Sequence, residues 1–277
     1  MSYRTLLVHV DDDESSAQRV DYAIRLAQTC DAELVGIYLV RGTDMTPSAA
    51  AMMSSDLVAR RLGAFGEAQH GAEQRFRGAA AARGLDAVDW RAPAGPPLEA
   101  AIAHGRCTDL FVLGQHDPSA TGFGEALISN VLLSSGRPTL VVPRIGAPAT
   151  IGQRVLVAWD AGREAARAIG DALPLLSRAQ RVDVLAIDHD REPEVDDRLA
   201  DARLHAWLRR HGIAADVARQ EAGDTGIGEW LLSRAADLGS DLIVMGGYGH
   251  ARVRELVLGG ATRTILRSLT VPVFMTH

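Results

Sequence analysis

Residues 241–246 read Asp-Leu-Ile-Val-Met-Gly, and residues 109–114 read Asp-Leu-Phe-Val-Leu-Gly. Each is an acidic residue, four apolar residues in a row and a glycine. A short, unbroken apolar run of this kind predicts a strand buried on both faces. Its appearance twice points to a duplicated unit, and the flanking sequence agrees. Upstream, residues 154–159 (Arg-Val-Leu-Val-Ala-Trp) lead into Asp160, as residues 4–10 (Arg-Thr-Leu-Leu-Val-His-Val) lead into Asp11. Downstream, residues 270–275 (Thr-Val-Pro-Val-Phe-Met) answer to residues 137–142 (Arg-Pro-Thr-Leu-Val-Val).

The intervening segments also correspond. An amphipathic helix is predicted near 15–29 and near 163–178. Apolar runs follow at Leu34–Val40 and Val182–Ile187. The offset between copies is 149 at the first strand and 132 at the fourth. The difference falls mainly in the second helical segment, about 45–83 in the first copy and 193–211 in the second. Each copy reads as strands alternating with helices, five strands in all. That pattern predicts an α/β fold: two tandem open five-stranded parallel sheets with helices on both faces. Ile145 to Thr150 collects Gly and Pro without apolar period and reads as the linker. The expected domains are 1–145 and 151–277.

Composition removes several functions. The 277 residues include 47% hydrophobic and 23% charged, ordinary values for a soluble globular chain. The net charge is −6, and neither half is basic, so no nucleic-acid footprint is expected. All 29 basic residues are arginine. A Schiff base, a Walker A lysine and a lysine general base are therefore excluded. Phosphate, if bound, must be held by backbone N–H groups, Arg or hydroxyls. Cys30 and Cys107 stand apart, form no zinc motif and are read as small buried apolar residues. No apolar run is long enough to span a membrane and no signal peptide is read at the start, so a cytoplasmic location without a membrane partner is expected.

Chemistry is expected beyond the carboxyl ends of the strands, at the topological switch point of an open α/β sheet. After Met245 the chain reads Gly246-Gly-Tyr-Gly249-His250, nine residues separate Gly249 from Gly259, and Gly259-Gly260 opens a helix ending near Arg267. Glycine permits close backbone approach and positive φ. A loop of N–H groups beside a helix N-terminus forms an anion site without lysine. Glycines that merely turn the chain are the plainer alternative.

The pattern Gly-x2-Gly-x9-Gly resembles the ATP-binding signature of the universal stress protein family, and the whole chain resembles a tandem pair of such domains. The resemblance implies strand order 3-2-1-4-5 in each copy. It also implies pairing of the two last strands into an internal pseudo-dimer, with a further homodimer left open. It implies a site for ATP or AMP in the second copy, with a divalent ion on the phosphates left open. There Asp160 and Ile187 would border adenine and ribose, Met245 and Gly246 would line the strand exit, and Gly249, Gly259 and Gly260 would cradle the phosphates. Gly260 stands where the family has Ser or Thr, so the amide remains and the hydroxyl is lost; Thr262 lies two residues on. The implied role is regulatory nucleotide binding in a stress response, with an unidentified regulatory protein as partner and no enzymatic turnover. Two alternatives stand beside it: an interaction module that binds no nucleotide, and an enzyme acting on a phosphorylated or acyl substrate.

In the first copy the corresponding loop is Gly114-Gln-His-Asp117-Pro118. A carboxylate repels phosphate and proline lacks an N–H. The first copy is expected to hold no nucleotide and to act as a structural partner. Asp11 to Glu14 are read as capping the first helix, and His9 and Trp159, at equivalent positions, as packed side chains. His250, Arg252, Arg254 and Arg263 flank the glycine loop and are read equally well as phosphate contacts or as solvated surface.

Overall fold

The computed structural model describes residues 2–40, 54–116, 123–187, 197–220, 226–247 and 260–277. Two compact bodies are formed, Tyr3–Arg137 and a second built on Pro138–His277.

In the first body, β1 (Thr5–Val10) is followed by α1 (Ser16–Cys30), β2 (Glu33–Tyr38), α2 (Ser55–Ala82), β3 (Val88–Arg91), α3 (Pro97–Gly105), β4 (Leu110–Gly114) and α4 (Glu125–Ser134). The sheet order is β3-β2-β1-β4, all parallel. The central strands are apolar on both faces because helices cover both: Leu6, Leu7, Val8, Leu110, Phe111 and Val112 are fully buried. Gly36 of β2 has a packing reason, since a Cβ there would lie 2.8 Å from the Trp90 ring.

The second body holds β5 (Thr139–Val142), β6 (Arg154–Trp159), α5 (Arg163–Asp171), the short α6 (Leu173–Leu176), β7 (Arg181–Ile187), α7 (Asp197–Arg210), β8 (Ala215–Gln220), α8 (Ile227–Asp237), β9 (Leu242–Gly246), α9 (Gly260–Arg267) and β10 (Val273–Thr276). Its order is β5-β10-β9-β6-β7-β8. Counted within the second copy, β8-β7-β6-β9-β10 is the expected 3-2-1-4-5. β5, the last strand of the first copy, pairs antiparallel with β10, the last strand of the second, with Val141 opposite Val273. This is the expected pseudo-dimer pairing of terminal strands. It removes the free edge that each would otherwise present.

One helix expected over 163–178 is two. Pro174 supplies no N–H and its ring crowds the preceding turn. The helix therefore stops at Asp171, and α6 starts afresh with Pro174 near its N-terminus. The acidic residue before each fourth strand is a clamp. The Asp109 carboxylate accepts the N–H groups of Arg4 and Thr5 at 2.7 and 3.0 Å, and Asp241 accepts those of Gln153 and Arg154 at 3.0 and 2.9 Å. Each fixes the start of the neighbouring first strand. Cys30 is buried as expected, but Cys107 is exposed. It lies in the turn after α3, where its N–H bonds back to the His104 carbonyl and the side chain faces away from the core.

Candidate functional site

In the second body β6 has β7 on one side and β9 on the other, all parallel. Connections leave β6 in opposite directions at this point, which is the switch point where such sheets bind ligands. Three strand ends therefore stand side by side. Asp160 follows β6, Ile187 ends β7 opposite Gln220, and Met245 and Gly246 end β9.

Asp160 Oδ1 accepts the Gly162 N–H at 2.8 Å. Ala161 between them has φ +57°, a left-handed conformation uncommon outside glycine. The carboxylate thus shapes the tight turn into α5. Met245 is buried at 6% exposure. A Cβ on Gly246 would lie 2.7 Å from the Ala165 amide nitrogen and 2.8 Å from Glu164. This glycine is required because the first turn of α5 packs on it. Beyond it, the Gly247 N–H donates to the Thr276 carbonyl at 2.9 Å, which ties the exit of β9 to β10. Gly260 is the first residue of the eight-residue α9. It is exposed, and a Cβ there would meet nothing within 4 Å. Thr262 faces inward at 4% exposure. Gly249, Gly259, His250, Arg252 and Arg254 lie outside the described residues. Arg263 is exposed on α9.

The first body uses the equivalent strand ends differently. A cavity of about 310 Å³ lies at the ends of β1, β2 and β4, lined by His9, Asp11, Arg19, Tyr38, Gly114 and Phe123 among others. Arg19 is 3% exposed. Its Nε donates to the His9 carbonyl at 2.7 Å and its Nη2 to Asp11 Oδ1 at 2.8 Å and Ser16 Oγ at 3.1 Å. Its guanidinium lies against Gly114, where a Cβ would collide with it. Burial raises the Asp11 pKa, but the Arg19 guanidinium and the hydrogen bonds to the carboxylate outweigh it, and the net shift is downward. Burial is the main reason that the His9 pKa is lowered to about 4, with Asp11 opposing and Arg19 assisting.

The capping expected of Asp11 to Glu14 is corrected here. Ser15 is the cap residue of α1, it makes no side-chain cap bond, and the first turn has no acid. Asp11 pairs with Arg19. Asp12 accepts the Tyr38 hydroxyl at 2.7 Å and Arg75 at 3.2 Å. Arg19 was missed in the sequence because an arginine inside an amphipathic helix reads as surface. The available signal was its place one turn into α1, beside an acid at a strand end. Trp159, the counterpart of His9, is buried as expected. It borders a groove between α5 and α7 that Ile169, Leu204 and Trp207 also line. Its indole nitrogen has no hydrogen-bond partner among the described residues. Asp117 and Pro118 lie outside the described residues.

The profile of the Universal stress protein family matches residues 2–143 and again 152–277. The chain belongs to the universal stress protein family. Universal stress protein Slr1230 of Synechocystis is 27% identical over 171 residues, 60% of this chain and 56% of that protein. The chain therefore aligns with little more than half of that relative. A universal stress protein from Archaeoglobus fulgidus superposes with a TM-score of 0.76 at 19% identity, covering 98% of this chain and 97% of its own. A functionally unknown protein from Pseudomonas aeruginosa gives 0.60 at 14% identity, covering 99% and 92%. At such identities these structures speak to the universal stress protein fold alone. Among the described residues no group of three or more His, Cys, Asp or Glu could hold a metal ion. No described helix is long and apolar enough to cross a membrane.

Proposed function

We propose that this protein is a nucleotide-binding regulatory member of the universal stress protein family, with ATP or AMP held by the second copy. One observation carries the reading. The glycine-rich segment 246–260 joins the end of β9, at the switch point beside β6, to the N-terminus of α9. Helix N-termini offer unpaired N–H groups and a favourable dipole to a phosphate. The residues fit the group at that point, because the space around Gly260 is open. In this reading the amides of Gly249, Gly259 and Gly260 hold phosphate, and Asp160 and Ile187 border the nucleoside. Met245 and Gly246 set the strand exit. Any divalent ion would ride on the phosphates. Binding serves regulation through a protein partner in the cytoplasm, and turnover is negligible without a positioned base or lysine.

Calorimetric titration of the whole chain with ATP and with AMP tests this. One nucleotide per chain is expected. Gly249→Val should abolish binding while leaving the fold intact by circular dichroism. Two equivalent sites, normal binding by Gly249→Val, or brisk multiple-turnover phosphate release would each defeat the reading. Absence of binding would favour a pure interaction module.

A further inference from the structure

The cavity of the first copy is independent of the nucleotide reading, and its chemistry is of another kind. Among the described residues its lining includes three carboxylates, Asp11, Asp12 and Asp13, against a single guanidinium, Arg19. Arg19 is already engaged by the His9 carbonyl, Asp11 and Ser16. Arg75 reaches Asp12 from outside the lining. Among the described lining residues an anion would meet net negative charge and no unengaged cation.

The acceptors converge as well. His9 Nε2 lies 2.9 Å from the Leu39 carbonyl. A carbonyl can only accept, so Nε2 carries the proton, and in the neutral ring Nδ1 presents a lone pair. Its lowered pKa keeps the ring neutral near pH 7. Nδ1 lies 3.5 Å from Asp11 Oδ2, and both side chains are largely buried. Asp11 Oδ1 receives Arg19 and the Asp13 amide. Among the described residues no donor reaches Oδ2 or Nδ1. Both residues line the cavity, and a donor placed between the two acceptors serves both.

The walls are aromatic. Phe123 meets His9 edge-on at 6.5 Å, and Tyr38 and Phe65 lie 5.8 Å apart. Tyr38 is held neutral, its pKa raised by burial and by its bond to Asp12. Ring faces attract cations, and the volume falls at the small end of ligand pockets.

We propose that the first-copy cavity binds a small organic cation: a primary ammonium on an apolar or aromatic body, its N–H groups bridging Asp11 Oδ2 and His9 Nδ1. The nucleotide reading can fail without touching this one.

The test uses the full chain and three probes of one shape and different charge: phenethylamine, phenethyl alcohol and phenylacetate. Histidine-ring NMR at neutral pH follows His9. Phenethylamine should saturate the His9 signals with a Kd at least about tenfold below those of the alcohol and the acid. His9→Phe, followed by the NMR line broadening of the probe itself, should weaken it about tenfold or more. Asp13→Asn leaves the Asp11–Arg19 pair in place and should weaken it several-fold, so the proposal remains testable if His9→Phe does not fold. Gly249→Val should leave amine binding unchanged. Equal binding of amine and acid, no response of His9 up to about 10 mM amine, or indifference to Asp13→Asn would overturn the assignment.

Discussion

Gly114 and Gly246 end the fourth strands of the two copies, and both are glycine because something lies where a side chain would be. Over Gly114 it is the side chain of Arg19; over Gly246 it is the backbone of α5. One substitution of means for an end separates the copies. In the first, a buried cation fills the switch point, draws in Asp11 and takes up the His9 carbonyl. In the second, the helix itself closes on the strand end, Asp160 turns to the Gly162 amide, and the glycine-rich segment 246–260 follows. A duplicated frame thus holds two different electrostatic designs at the same place. One is built around a buried ion pair; the other leads to a helix N-terminus that begins at the exposed Gly260.

The largest effect should come from breaking that ion pair. Arg19 and Asp11 side chains are 4% and 13% exposed. Arg19→Ala leaves a buried carboxylate without its partner, a change that costs about 3–5 kcal/mol. Hydrogen exchange of the β1 amides should show this loss in the first body. Protection in β6 is the internal control, and an effect below about 1 kcal/mol would mean that the pair is not structural.

A pH effect of similar origin should come next. His9 titrates near 6.5 when unfolded and at about 4 when folded. Between those values the unfolded chain binds a proton that the native chain does not. Stability therefore rises with pH across this window; it is fully present above about 6.5 and is lost as pH falls toward 4, by about 3 kcal/mol in all. Asp11, with its folded pKa lowered, adds a further loss as pH falls below the ordinary carboxylate range. His9→Phe should flatten the slope between pH 7 and 5 in the first body, and an unchanged slope would exclude His9 as its source.

The glycines give a smaller contrast. Gly246→Ala sets a methyl group against backbone that cannot swing aside and should cost about 1–3 kcal/mol. Gly114→Ala meets a side chain, which can move, and should cost less. Its cost should also vanish in an Arg19→Ala background, because the two residues share one space. Additive losses in that double mutant would show that Arg19 is not what excludes a side chain at Gly114.

The frame was legible because its strands are fully buried. Runs such as Leu110–Leu113 and Leu242–Met245 announce themselves by composition, and so does the repetition of their acidic leader. The break at Pro174 was legible too, had its missing N–H been weighed against the apolar period. The first-copy cavity was not legible. It depends on Arg19 lying over Gly114, a contact between residues 95 apart in sequence, and on the His9 tautomer fixed by Leu39. Neither follows from spacing. Residues 11–14 read as a capping cluster because carboxylates before a helix usually cap it, and here tertiary pairing overrode the local preference. In the second copy the order of strands placed Asp160, Ile187, Met245 and Gly246 on three adjacent ends, as the order 3-2-1-4-5 requires. Gly249 and Gly259 rest on the sequence pattern.

The smallest expected effect is the most discriminating for the second copy. By the sequence resemblance Gly260 stands where the family carries a hydroxyl residue; it is the first residue of α9, exposed, with nothing within 4 Å of where a Cβ would project. Thr262 cannot stand in for that hydroxyl, because it faces inward at 4% exposure. Gly260→Ser should therefore be accepted without rearrangement. Serine is also favoured over glycine near a helix start, by only a few tenths of a kcal/mol, so stability should be level or slightly raised. If phosphate rests on the α9 N-terminus, the added hydroxyl supplies one more donor there, and ATP affinity in a calorimetric titration should be equal or tighter, by up to about tenfold for one good hydrogen bond. A hydroxyl that weakens ATP at unchanged stability would place the phosphates elsewhere. It would leave the open end of α9 as a surface for something other than a nucleotide.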